Sequence, residues 1–356
     1  MAHIQLDLAH AYRPRPRTDA DYALRPLTLG FRDGGAYALL GPSGCGKTTL
    51  LNIISGLLLP SQGQVLFDGR DVTHESPQQR NIAQVFQFPV IYDNMTVAEN
   101  LAFPLRNRKL PPSFIRQRVD QIAEMLELGP QLTLRAAGLS ADQKQKISLE
   151  RGLVRSDVSA VLFDEPLTVI DPQLKWQLRR KLKQIHQELK LTLIYVTHDQ
   201  VEALTFAEEV VVMTQGQVVQ SGTAEALFER PAHTFVGHFI GSPGMNFLPA
   251  QRHQGVLTVL GQTLSGSVNV PDGDWLLGIR PEYLQLAAQG APGCLSAVVV
   301  QVQDMGTHRL LTCAQGGQRI RARLGPAQRP PVPGEQVQLQ LLCPQTCFYR
   351  NEELVA

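Results

Sequence analysis

A glycine-rich segment between an apolar strand and a helix constrains the fold of this chain more than any other feature. Residues 41–49 read GPSGCGKTT, after the apolar run Tyr37–Leu40. The stretch Thr48–Ile54 that follows looks like the start of a helix. A strand that turns through glycines into a helix directs backbone N–H groups and the positive end of a helix dipole at one point, which suits a phosphate group. The segment therefore predicts a P-loop in an α/β fold.

The residue types within this loop predict separate contacts with ATP. We expect Lys47 to reach the β- and γ-phosphates and the Thr48 hydroxyl to ligate Mg²⁺. The nucleotide-binding residues predicted in this segment are Gly41, Pro42, Ser43, Gly44, Cys45, Gly46, Lys47, Thr48 and Thr49.

Two carboxylates follow a second apolar strand. The run Ala160–Phe163 is apolar, and Asp164 and Glu165 come directly after it. Open α/β sheets bind ligands at the carboxyl ends of their strands, so both side chains should face the same ligand. We predict that Asp164 holds Mg²⁺ through water and that Glu165 polarises the attacking water, as hydrolysis needs in-line positioning and charge stabilisation.

Two further polar residues come at the ends of apolar runs. His198 follows Thr192–Thr197, a strand that should lie beside the P-loop strand, so we predict that His198 is a second catalytic residue that contacts the γ-phosphate. Gln87 comes after Val85–Phe86 and is predicted to ligate Mg²⁺ and to bridge it to a mobile neighbouring segment.

The order of these elements resembles the ATP-binding cassette (ABC) family, over essentially the whole chain. Between Gln87 and Asp164, the segment Leu139–Gln143 has the position of the family's signature sequence, and Asp171 after Glu165 has the position of its D-loop. The resemblance implies a dimeric ATPase in which each P-loop is covered by the signature helix of the other subunit. Closure on ATP and opening after hydrolysis would then drive a membrane partner.

The family also has an aromatic ring that stacks on adenine ahead of the P-loop. We assign Tyr12 to this role because it follows an alternating strand at residues 4–8, and Tyr22 is the alternative. The insertion Arg13–Ala20 between them carries prolines and three arginines, and it is interpreted as a solvated loop.

The signature departs from the family pattern Leu-Ser-Gly-Gly-Gln. Ser140 and Gln143 are retained, whereas Ala141 and Asp142 replace the two glycines. Two like charges about 4 Å apart repel by roughly 4 kcal/mol at an effective dielectric near 20, so Asp142 should oppose the partner's γ-phosphate. The alternatives are that Asp142 points away or that it caps a helix beginning near Gln143.

The helix after the signature differs from the family as well. Lys146 stands where the family has arginine, and Glu150 and Gly152 stand where alanines are common. We therefore predict a heterodimer, in which the P-loop and catalytic residues of this chain work with a normal signature from a second, different ATPase. A homodimer is the alternative.

Composition limits the classes of protein to consider. The chain has 356 residues and 43% hydrophobic content, enough for two or three domains with real cores, and its net charge of +1 gives no electrostatic case for nucleic acid. The five cysteines lack zinc spacing and are expected to be reduced. No apolar stretch approaches the roughly 18 residues of a membrane span, and the start lacks a signal peptide. We predict a peripheral protein on the cytoplasmic face of the bacterial inner membrane.

The periodicity of the sequence divides the chain near residue 237. Residues 1–237 are predicted to form the nucleotide-binding domain, a mostly parallel sheet with an inserted helical subdomain at about 87–155. By the resemblance, this subdomain docks two membrane permease subunits, with Phe88–Met95 as the groove for their coupling helices or, alternatively, as a buried hydrophobic loop. Residues 238–356 are predicted to form a β-rich, OB-like accessory domain that is regulatory or stabilises the dimer.

Two stretches of the accessory domain narrow the resemblance. The segments GSPGMNFLP at 241–249 and LGIRPEYL at 277–284 look like the domain found in sugar-importer ATPases, the group of the maltose importer. The altered signature, with Gln-Phe-Pro at 87–89 and Leu-Thr-Val-Ile-Asp at 167–171, is similar to one of the paired ATPases of bacterial glycerol importers. This implies import of glycerol, with a solute-binding protein that acts through the permeases. A homodimeric sugar or glycerol-phosphate importer ATPase is the alternative, and a non-transport ABC ATPase or a P-loop kinase is a more distant one.

Overall fold

The structure is a computed structural model and describes residues 2–356. The chain forms two compact units, one ending at Ala224 and one spanning Glu225–Ala356. The sequence pattern predicts that the nucleotide-binding domain ends near residue 237. In the structure, the boundary between the two compact units lies after Ala224. The short helix Thr234–Phe239 therefore groups with the C-terminal unit.

The strands of the N-terminal unit form two sheets. They are β1 (Ile4–His10), β2 (Leu24–Phe31), β3 (Ala36–Leu40), β4 (Gln62–Phe67), β5 (Arg70–Asp71), β6 (Ile82–Val85), β7 (Ala160–Asp164), β8 (Leu193–Thr197), β9 (Glu209–Thr214) and β10 (Gln217–Gly222). The larger sheet has the order β10-β9-β3-β8-β7-β6. Its strands β9, β3, β8, β7 and β6 are parallel, and β10 pairs antiparallel with β9. The mostly parallel sheet predicted from the sequence is confirmed.

The smaller sheet is antiparallel, in the order β2-β1-β4-β5. The buried apolar side chains of β1 form part of its core face. They belong to the same hydrophobic cluster as buried residues of β2, β4 and the P-loop helix α1. The sequence analysis predicted the first of these strands but did not separate them from the parallel sheet. Alternation shows that a strand is half-buried and does not show which partner it pairs with.

The helices of this unit fall into an inserted helical group and three helices that flank the parallel sheet. They are α1 (Lys47–Ser55), α2 (Val97–Asn107), α3 (Pro112–Met125), α4 (Ala141–Leu153), α5 (Pro172–Leu189) and α6 (Gln200–Phe206). In the inserted group, α2, α3 and α4 pack through Leu101, Ala123 and Ile147. These three helices therefore form one packed group between residues 97 and 153.

The C-terminal unit is β-rich, with two short helices. Its elements are α7 (Ala224–Glu229), α8 (Thr234–Phe239), β11 (Asn246–His253), β12 (Val256–Val259), β13 (Gln262–Leu264), β14 (Gly273–Ile279), β15 (Gln285–Ala287), β16 (Cys294–Asp304), β17 (Arg309–Gln315), β18 (Gln318–Leu324), β19 (Gln336–Gln340), β20 (Cys347–Arg350) and β21 (Glu353–Leu354). One sheet has the order β13-β12-β11-β14-β20-β21 and the other β15-β19-β16-β17-β18.

A single hydrophobic cluster joins the two sheets of this unit. Trp275 of one sheet and Leu295 and Leu311 of the other belong to it. Asn246 also ties the sheets together, because its side chain donates to the carbonyl of Arg321 at 2.9 Å and accepts the N–H of Arg321 at 2.8 Å. The predicted β-rich, OB-like domain is confirmed. Across residues 2–356, none of the helices combines the length and the apolar character that crossing a membrane requires.

Candidate nucleotide site

The P-loop runs from the end of β3 into α1, and two of its glycines are required by the backbone. Gly46 has φ of 102°, a left-handed conformation that side chains disfavour. At Gly41 a Cβ atom would lie 2.2 Å from the carbonyl oxygen of Met213. The loop therefore depends on glycine for its shape at one position and for space at the other.

Lys47 lies at the centre of this loop. Its side chain is nearly buried, with 5% exposed, and Nζ donates to the carbonyl oxygens of Gly41 at 2.8 Å and Pro42 at 3.0 Å. Within the described part of the chain, no side chain caps the start of α1. The N–H groups of its first turn therefore have no side-chain acceptor. The ammonium group of Lys47 lies beside them. This arrangement fits a bound phosphate.

Thr48 and Asp164 come together at the edge of the parallel sheet. The Thr48 hydroxyl donates to Oδ1 of Asp164 at 3.1 Å. Burial raises the pKa of Asp164, and the hydrogen bond from Thr48 opposes this rise. A hydroxyl and a carboxylate are the oxygen ligands that Mg²⁺ takes, and a divalent cation would offset the cost of burying the charge.

Glu165 and His198 also meet at this edge of the sheet. The two residues directly follow the adjacent parallel strands β7 and β8, and Nδ1 of His198 lies 3.1 Å from Oε2 of Glu165. Glu165 has φ of 47°, an uncommon value for a residue with a side chain, and its N–H donates to the carbonyl of Val196 at 3.0 Å. The surrounding structure holds Glu165 in a strained conformation, a feature that is concentrated at functional sites.

Tyr12 lies beside the first turn of α1. Its hydroxyl is 3.0 Å from Oγ1 of Thr49, and 67% of its surface is exposed. An accessible ring held next to the P-loop helix can stack on a flat ligand. The geometry thus favours Tyr12 for the aromatic contact that the resemblance implies.

Gln87 lies half-buried just beyond β6. Among residues 2–356, no hydrogen bond links its side chain to Thr48 or Asp164, and its role as a Mg²⁺ ligand stays a prediction. The segment that follows is exposed, because 66% of Phe88 and 56% of Val90 are accessible. The alternative of a buried hydrophobic loop at Phe88–Met95 is therefore wrong.

The signature segment begins α4, and Ser140 is its N-cap. The Ser140 hydroxyl accepts the N–H of Gln143 at 3.3 Å, and the Gln143 side chain accepts the N–H of Ser140 at 3.0 Å. Helix α4 begins at Ala141, so Asp142 lies in its first turn. The alternative that Asp142 caps a helix starting near Gln143 is wrong, because the reciprocal pair of Ser140 and Gln143 takes the capping role.

Asp171 is the N-cap of the next helix, α5. Its Oδ1 accepts the N–H of Gln173 at 2.9 Å, at the start of α5. The signature and the P-loop lie on different parts of the unit, since α4 packs mainly against α2, α3 and β6.

Gln145 is a residue of this region that the sequence analysis missed. Its Nε2 donates to the carbonyl of Pro166 at 2.7 Å and to that of Phe86 at 3.3 Å. It thus ties α4 to the residue after Glu165 and to the residue before Gln87. The side chain is fully buried, and its Oε1 has no hydrogen-bond partner in the described structure. A glutamine two residues after the signature was the available signal, but only the fold reveals its partners.

Together, a P-loop, two carboxylates and a histidine at the carboxyl edge of a parallel sheet define a P-loop ATPase, here with a β-rich second unit. Comparison with known sequences gives the family. The ABC transporter family matches residues 24–168, and the TOBE domain family matches residues 277–343.

Individual relatives match over most of their length. The chain is 43% identical over 327 residues to an uncharacterized ABC transporter ATP-binding protein of Sinorhizobium fredii, covering 88% of this chain and 85% of the relative. It is 40% identical over 326 residues to the sn-glycerol-3-phosphate import ATP-binding protein UgpC of Yersinia pestis, covering 89% and 90%. Among solved structures, cbiO1 from Clostridium perfringens, part of the ABC transporter complex cbiONQ, matches with a TM-score of 0.57 and 27% identity, over 64% of this chain and 90% of that one.

The chain therefore belongs to the ABC transporter family, as an ATP-binding subunit of the sugar and polyol importer type. It is an ATPase coupled to transport. The expected class of fold, the ATPase activity and ATP as its ligand are confirmed.

Proposed function

We propose that this chain hydrolyses Mg²⁺-ATP with Glu165 as the residue that polarises water and His198 as the γ-phosphate contact. The observation that carries this proposal is the 3.1 Å contact between the two side chains, placed at the same sheet edge as Lys47 and Thr48. Thr48 and Asp164 would hold Mg²⁺, which neutralises charge on the phosphates when bound. Lys47 would exchange its two carbonyl contacts for phosphate oxygens.

The transport partners in this proposal are two membrane permease subunits on the cytoplasmic face of the bacterial inner membrane. The exposed side chains of Phe88 and Val90, just after Gln87, support a docking role for this segment. Arg151 of α4 connects it to the signature helix, because its NH1 donates to the carbonyl of Val90 at 2.6 Å and its guanidinium lies 4.9 Å from the centre of the Tyr92 ring. Movement of the permease could thereby be transmitted to α4.

The dimer is proposed to be asymmetric, because of Asp142. Its carboxylate lies in the first turn of α4, where the helix dipole stabilises a negative charge by about 0.3–1 kcal/mol. That turn is also the one that would meet a partner's γ-phosphate, and there the charge is repulsive. The lysine two residues later does not offset it, since Lys144 pairs with Asp93 at 2.9 Å. A site built on this signature would be weak, whereas the P-loop of this chain is complete.

Glycerol is the proposed solute, on the resemblance of the signature and neighbouring segments to the paired glycerol-importer ATPases. A second candidate is sn-glycerol-3-phosphate, because the relatives at 40% identity carry that name. Glycerol is uncharged, and in this proposal its importer has two different ATPases. sn-Glycerol-3-phosphate is charged, and its importer would have two identical ATPases. Their separation therefore needs both a composition measurement and an uptake measurement.

Subunit composition tests the asymmetric dimer. We would purify the tagged chain with its membrane partners in mild detergent and determine stoichiometry by native mass spectrometry. One copy of this chain, one copy of a different ATPase and two permeases are expected. Two copies of this chain in an active complex would contradict the proposal.

Uptake tests the solute. Cells that lack this chain would be complemented with the wild type or with Lys47→Ala and given radiolabelled glycerol at low concentration or radiolabelled sn-glycerol-3-phosphate. Restored uptake of glycerol by the wild type alone supports the first candidate. Restored uptake of sn-glycerol-3-phosphate instead supports the second.

A further inference from the structure

His10 occupies a core-facing position of β1, two residues before the proposed adenine-stacking residue. The side chains at positions 4, 6 and 8 of this strand are buried apolar groups, and His10 continues their alternation with only 5% of its surface exposed. Apolar residues commonly fill such positions. The imidazole therefore sits where its polar atoms must be accommodated inside the fold.

The imidazole packs against the ring of Tyr12. The two ring centroids are 4.7 Å apart and the ring planes are perpendicular, which is a favoured arrangement for aromatic pairs. At the other end of the tyrosine, the hydroxyl lies 3.0 Å from Oγ1 of Thr49 in α1. Tyr12 is thus restrained at its side and at its tip, while most of its surface stays accessible.

Ser61 fixes the orientation of the imidazole. The Ser61 hydroxyl accepts the N–H of Ala11 at 3.0 Å and donates its single proton to the carbonyl of Ala11 at 2.9 Å. A third contact joins the Ser61 hydroxyl to Nδ1 of His10 at 3.3 Å. The hydroxyl thus holds the Nδ1 side of the imidazole in place.

The other ring nitrogen has no such partner. Nε2 is buried and lacks a hydrogen bond anywhere in the described structure. Burial lowers the pKa of His10. A buried polar atom left unpaired costs free energy. The position beside Tyr12 therefore keeps a buried imidazole despite this cost.

We propose that His10 is a positioning residue for the nucleotide base. This inference rests on the proposed role of Tyr12 as the ring that stacks on adenine. Ser61 holds His10, and His10 holds the ring of Tyr12 in a stacking-competent orientation before ATP arrives. Without that support, Tyr12 would lose side-chain freedom on binding, and part of the stacking free energy would be spent on ordering it.

The test compares two ligands that share phosphates and differ in the base. Equilibrium affinities of the full chain would be measured for ATP and for inorganic tripolyphosphate, both with Mg²⁺, in His10→Ala and His10→Asn. The asparagine variant retains a donor toward Ser61 and lacks the ring. Tyr12→Ala reports the loss of the stacking ring itself. Leu8→Ala is the matched control, since Leu8 is buried on the same face of β1.

We expect both His10 variants to weaken ATP binding about fivefold, the range of an aromatic pair, and to leave tripolyphosphate binding unchanged. Tyr12→Ala should weaken ATP binding at least as much. Leu8→Ala should lower the melting temperature and leave the ratio of the two affinities unchanged. Because asparagine keeps a polar group toward Ser61 and lacks the ring, an equal loss of ATP affinity in both variants identifies the ring contact as its cause.

An ATP affinity that is unchanged in His10→Ala overturns the inference. Equal losses of affinity for ATP and tripolyphosphate overturn it as well. A ratio that changes in Leu8→Ala as well overturns it too, because lost stability would then explain the effect. Failure of the proposed nucleotide site is recognised separately, by ATP binding that persists in Lys47→Ala.

Discussion

Replacement of Glu150 by glutamine is expected to stabilise the protein, and increasingly so as the pH rises. Glu150 lies in α4 with none of its surface exposed, and neither carboxylate oxygen has a hydrogen-bond partner within residues 2–356. Burial raises the pKa of Glu150 to about 9, and the charge of Lys146 one turn earlier opposes this rise only in part. The folded protein therefore keeps this carboxyl group protonated at neutral pH.

The magnitude follows from the difference between the folded and unfolded chains. The unfolded chain ionises this group near its usual value of 4.5, and the folded chain only near 9. Below pH 4.5 the residue causes no loss of stability. Between pH 4.5 and about pH 9 the loss of stability grows by about 1.4 kcal/mol per pH unit, and above about pH 9 it stays constant. At pH 7 the loss is about 3 kcal/mol.

Glutamine has the same shape as the protonated carboxyl group and leaves similar polar atoms buried, so it removes the titration and little else. We would measure unfolding by calorimetry or denaturant for wild type and Glu150→Gln between pH 5.5 and 8.5. The exposed Glu124→Gln on α3 of the same subdomain is the control. A stability difference that is independent of pH, or a variant that is less stable at pH 8.5, would refute the reasoning.

Two further predictions concern α4. Gln145→Leu removes the donors to Phe86 and Pro166 and should lower kcat about tenfold, the cost of roughly one hydrogen bond, with an unchanged Kd for ATP; a parallel loss of ATP affinity would argue against it. Asp142→Asn and Asp142→Gly should both raise the ATPase activity of the chain assembled with itself, because both remove the charge. If only glycine restores activity, space rather than charge limits the signature, and if neither does, Asp142 is harmless.

Much of the candidate site could be predicted because it depends on local sequence and on the direction of strands. Glu165 and His198 each follow an apolar strand, and parallel strands end at one edge of a sheet. Their contact therefore follows once β7 and β8 are neighbours. The P-loop is predicted equally well, since glycines, lysine and the strand-to-helix turn are contiguous.

Other parts of the site depend on contacts that the sequence does not encode locally. Gln145 lies far along the chain from Phe86, and their hydrogen bond exists only because α4 packs on β6. His10 fits the alternation of a core strand, so its position beneath Tyr12 becomes evident only in the fold. The N-cap of α4 is not decided by residue type, since Ser140 and Asp142 are both good capping residues and only the capping box with Gln143 distinguishes them.

The most direct test of the central claim is ATP hydrolysis by the purified complex of this chain with its membrane partners, for wild type and Glu165→Gln. The exposed Glu353→Gln in the C-terminal unit serves as the control. The account predicts hydrolysis by the wild type and the control, and loss of nearly all of it in Glu165→Gln with ATP still bound. Hydrolysis that persists in Glu165→Gln would contradict the account, because the working ATP site would then lie elsewhere.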